Sequence, residues 1–75
     1  MTLHFITRTV HHSESEFGSY YITHINAEAF KLEYTARTAH DLNSDFSRVF
    51  KTLEDSQNCA NKHNEFLEAL NFYTT

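Results

Sequence analysis

Cys59 is the only cysteine in a chain of 75 residues, so no intrachain disulfide can form and the staple on which small secreted domains rely is missing. A chain this short encloses little volume for its surface, so it must hold itself together with a thin core of large side chains. Seven Phe and four Tyr supply them, within an apolar fraction of 40% that favours folding over disorder. Proline is absent and glycine occurs once, at Gly18, which leaves no room for a flexible linker. The expectation is a single domain over 1–75, read as element after element. A lone thiol suits a reducing compartment. The first twenty residues lack the basic start and apolar stretch of a signal peptide, and no apolar run reaches the roughly 18 residues of a membrane span. A cytoplasmic location follows as the default.

Two periodicities divide the chain. Leu3 to Val10 is rich in β-branched and aromatic residues and predicts a strand. His11 to Ser19 gathers Ser13, Ser15, Gly18 and Ser19 with two glutamates and predicts a hairpin loop; Tyr20 to Ile25 predicts the returning strand. After a turn at Asn26 and Ala27, Phe30, Leu32, Tyr34 and Ala36 alternate with Lys31, Glu33, Thr35 and Arg37, the period of a half-buried strand. A short helix over 27–34 competes with that strand, because Ala, Glu, Lys and Leu are good helix formers. The longer alternation and Thr35 favour the strand.

From Leu42 the spacing changes. Leu42, Phe46, Val49, Phe50 and Leu53 fall on one helical stripe, with Asp41, Asn43 or Ser44 available as the cap. A second stretch, from about Ser56 to Phe72, puts Cys59, His63, Phe66, Leu67 and Leu70 on one face. Leu42, Phe46, Val49, Leu53, Ser56, Ala60, His63, Leu67 and Leu70 also follow the alternating four-and-three spacing of a coiled-coil seam. A continuous helix over 42–72 would be about 46 Å long at 1.5 Å per residue and would need a partner chain. The run Asp55–Asn58 favours a break. The predicted fold class is therefore α+β, a small antiparallel three-stranded sheet in 1–37 followed by two helices in 41–73. Burying the seam in a homodimer would enlarge so thin a core.

The chemistry-bearing residues form no strong constellation. His11 and His12 are adjacent, so on a strand they face opposite ways. Cys59 and His63 share a helix face and would supply only two ligands of a zinc site, and a small buried thiol among apolar residues is ordinarily packing. One glycine excludes a phosphate-cradling loop and a nucleophile elbow. Neither a catalytic residue, a metal ligand set nor a cofactor site is expected.

Charge ranks the remaining classes. The net charge is −4, and residues 41–75 hold six acids against Arg48, Lys51 and Lys62. That balance opposes a phosphate backbone. If Cys59, His63, Phe66, Leu67 and Leu70 face inward, Glu65, Glu68 and Phe72 point outward together, with Asp45 and Asp55 extending the acidic surface. The expected function is a non-catalytic protein-binding module, a small acidic regulator or inhibitor docking through Asp45, Asp55, Glu65, Glu68 and Phe72 on a larger partner with a basic surface. A phage or mobile-element regulator would fit this size. The alternatives are a nucleic-acid-binding module using Tyr20, Tyr21, Phe30 and Tyr34 as a stacking face, and a small metal-binding or redox protein using Cys59 and the histidines.

Overall fold

A computed structural model describes residues 3, 10–39 and 42–74, with the side chains of 72–74 excepted. Four strands, β1 (Val10–Glu14), β2 (Gly18–Asn26), β3 (Ala29–Ala36) and β4 (Phe46–Phe50), precede one helix, α1 (Leu53–Thr74). The strands form one antiparallel sheet in the order β1-β2-β3-β4, so each pairs with its neighbour in sequence. The architecture is α+β, with α1 laid across one face of the sheet.

The period of two sorts the strands into faces. Ser13, Tyr20, Tyr34 and Phe46 stand opposite one another across the sheet, as do His11, Ile22, Leu32 and Arg48 in the next row of that face. Tyr20, Ile22, Leu32 and Tyr34 are fully buried beneath α1. The helix meets them with Ser56, Ala60, Asn64 and Leu67, all buried. Small residues at the crossing let the helix backbone approach the two tyrosine rings closely. The opposite face holds His12, Tyr21 and Glu33 in one row and Thr23, Lys31 and Val49 in another; Tyr21 stacks on His12 at 4.6 Å.

The second turn falls at Ala27 and Glu28, one residue later than read, since Asn26 ends β2; β3 agrees with the alternation read from the sequence and excludes the competing helix. Other expectations are corrected. The loop predicted over His11–Ser19 shrinks to Ser15–Phe17, because His11–Glu14 continue β1 in register with Ser19–Ile22. The Ser15 hydroxyl closes the turn by accepting from the Phe17 N–H at 3.2 Å. Of the strand predicted over Leu3–Val10, residues 4–9 lie outside the described residues.

The helix predicted from Leu42 does not exist; Phe46–Phe50 form a fourth strand, and one helix stands where two were expected. Phe46, Arg48 and Phe50 take one face and Ser47 and Val49 the other, which satisfies the open edge of β3. Leu42 and Val49, two members of the supposed stripe, are 54% and 57% exposed. Asn43 is buried and fastens this segment instead: its side-chain oxygen accepts from the Tyr34 hydroxyl, and its amide donates to the carbonyls of Phe17 at 3.1 Å and Thr38 at 3.3 Å. The seam from Leu42 to Leu70 is thus cut in two, and the coiled-coil dimer built on it loses its basis.

Helix α1 begins at Leu53, three residues before the predicted start. Thr52 caps it, its hydroxyl accepting from the Asp55 N–H at 3.1 Å, and Glu54 and Asp55 sit at the positive end of the helix dipole. That cap carries the poor helix formers of 55–58 into the first turns. Among the described residues no helix is long and apolar enough to cross a membrane.

Candidate functional site

The helix does not cover the sheet evenly. One flank of α1 is tied down where Asn61 Oδ1 accepts from the Leu3 N–H at 2.9 Å. On the opposite flank, Asp55, Cys59, Lys62, His63 and Phe66 stand over β4 and leave a groove of about 710 Å³. Phe46, Arg48 and Phe50 line its sheet side. Among the described residues their strand is the edge of the sheet, and no other described strand neighbours the outward N–H and C=O groups of alternate β4 residues.

Aromatic packing shapes the floor. The His63 ring meets the edges or faces of three rings, Tyr34 at 4.6 Å, Phe46 at 4.8 Å and Tyr20 at 5.7 Å. Its Nδ1 lies 2.5 Å from the Tyr20 hydroxyl. Burial lowers the pKa of His63, and burial, reinforced by Tyr34 and Cys59, raises that of Tyr20. Both groups are therefore neutral near pH 7. A protonated phenol donates to an imidazole Nδ1, which assigns the ring proton to Nε2. Tyr34 is raised in the same way by burial, opposed by its hydrogen bond to Asn43.

The rim carries charge and one large apolar group. The Arg48 guanidinium lies 5.3 Å from the centre of the Phe50 ring, within cation–π range. Lys62 and Asp55 are exposed on the helix side, and Phe66 is 50% exposed. Two cations against one acid make the groove locally positive on a chain of net charge −4.

The five residues predicted to bind a partner are dispersed. Asp45 precedes β4, and its carboxylate accepts from the Ala36 N–H at 2.7 Å, so it fastens the end of β3. Asp55 borders the groove. Glu65 is exposed, while Glu68 is half-buried and accepts from Asn64 Nδ2 at 2.7 Å; by the 100° turn per residue both belong to the flank away from the groove. Phe72 lies in α1, with its side chain outside the described residues. Phe66, placed inward by the sequence reading, is instead exposed on α1.

The other candidate sites are divided too. Tyr20 and Tyr34 are buried under α1, Tyr21 faces the other way, and Phe30 stacks on His24 at 4.5 Å, so the four do not make one stacking platform. Among the described residues no three His, Cys, Asp or Glu side chains gather as a metal site. The groove residues Phe46, Arg48, Phe50 and Lys62 escaped notice in the sequence. The alternation of Phe46, Arg48 and Phe50 was the signal available, masked by the helical spacing from Phe46 to Leu53. No protein family, curated protein or solved structure matches the chain.

Proposed function

We propose that this chain is a non-catalytic protein-binding module, a small regulator or inhibitor that acts by docking on a larger protein. The observation that carries this reading is the groove between α1 and the free edge of β4. An uncovered edge strand is a template for pairing with another chain, and strand addition is a recurring mode of peptide recognition. Beside that edge, Phe46, Phe50 and the half-exposed Phe66 offer apolar surface for alternate side chains of an added strand. The net charge of −4 favours a protein over a nucleic-acid partner. His63 is held by a phenol rather than a carboxylate, so it lacks the orienting group that raises the basicity of a catalytic imidazole.

Selection of displayed random peptides on the purified chain tests the proposal. The expected result is a set of binders whose affinity falls on the order of ten-fold or more for Phe66→Ser, the loss of one buried aromatic anchor, and holds for Glu65→Lys with Glu68→Lys. The reverse dependence would move docking to the acidic flank of α1. Failure to enrich any binder would count against the proposal altogether.

A further inference from the structure

We infer that the groove takes an extended partner segment that adds as a fifth strand beside β4 and carries acidic side chains on either side of a bulky apolar one; the inference rests on reading the groove as the docking surface. The side chains of an added strand alternate between faces as those of β4 do. Those on the helix side enter the groove, where Phe46, Phe50 and Phe66 offer apolar surface to a large apolar group. Next to that surface stand Arg48, from the sheet, and Lys62, from the helix, against the single carboxylate of Asp55. With His63 neutral, the groove is locally positive on an otherwise acidic molecule, so acidic residues flanking the apolar one meet a cation from each wall.

Charge also decides against the two other occupants. A second copy would present its own β4, and between Phe46 and Thr52 that segment holds Arg48 and Lys51 with no acid, so antiparallel pairing sets cations against cations. A nucleic acid would satisfy Arg48 and Lys62 but would leave the edge of β4 unpaired and would meet the repulsion of a chain at −4.

Three probes separate these cases: a short capped peptide of alternating Glu and Val in which Phe replaces the central Glu, so that Phe and the Glu residues two places to either side share a face, its Glu→Lys counterpart, and an oligothymidylate of similar length. Binding is followed by fluorescence anisotropy at low salt, and its location by amide exchange within β4. The acidic peptide is expected to bind, to slow exchange in β4, and to lose affinity by about ten-fold with Arg48→Gln plus Lys62→Gln, two exposed pairs being modest contributors. Circular dichroism of that double variant should match the parent. Equal binding of the basic peptide with the same β4 protection would overturn the charge inference and leave the docking surface standing. No β4 protection by either peptide would overturn both. Displacement of the acidic peptide by oligothymidylate, or a peptide-free dimer with protected β4 amides in sedimentation, would replace the occupant with a nucleic acid or a second copy.

Discussion

At Gly18 any side chain would collide with the core. A Cβ there would overlap the Thr35 carbonyl oxygen and lie 2.6 Å from the Tyr34 hydroxyl. Both neighbours are fixed, the first in β3 and the second by its hydrogen bond to Asn43. Gly18→Ala is therefore expected to destabilise the fold by about 1–3 kcal/mol, as overpacking does, in urea unfolding followed by circular dichroism. His63 gives stability a dependence on pH. Its folded pKa lies below the ordinary 6.5, so between the two values the unfolded chain binds more protons than the folded one. The contribution is complete above pH 6.5 and is lost as pH falls from there toward the folded value. The urea midpoint of the parent should drop from pH 7.5 to pH 5 by more than that of His63→Gln; parallel curves would remove His63 as the cause.

Among the elements, α1 depends on the residue just before it. Thr52→Ala removes the oxygen that receives the Asp55 N–H and should cost about 1 kcal/mol in the same measurement, whereas Thr52→Ser should cost little. The cap also explains which parts of the fold were legible. Strand β3 was readable because Phe30 to Arg37 alternate without interruption, and the body of α1 because Ala60, His63, Leu67 and Leu70 keep a helical stripe. Strand β4 was not. Phe46, Val49, Phe50 and Leu53 satisfy the helical spacing as well as the strand does, and a segment of five residues is too short for periodicity to arbitrate. Long-range partners settled it: the edge of β3 and the Tyr34–Asn43 hydrogen bond, neither written in local sequence. The groove inherits that blindness. Its sheet wall is β4, so a reading that lacked the strand placed Phe66 inward and sought the surface among the acids of the helix.

For the whole molecule, the order of the elements along the chain sets the order in which they become available. All strand pairs join sequence neighbours, and hairpins close in roughly 1–10 μs, so the sheet assembles as soon as Phe50 is free to pair. Without α1 the sheet would carry Tyr20, Ile22, Leu32 and Tyr34 bare on one face. A fragment ending at Lys51 should accordingly bind a hydrophobic dye and self-associate, and a synthetic peptide spanning 52–75 added in excess should reverse both. Until α1 packs, the sheet is a sticky surface in need of shelter, and the helix that follows it in sequence serves as the chain's own chaperone.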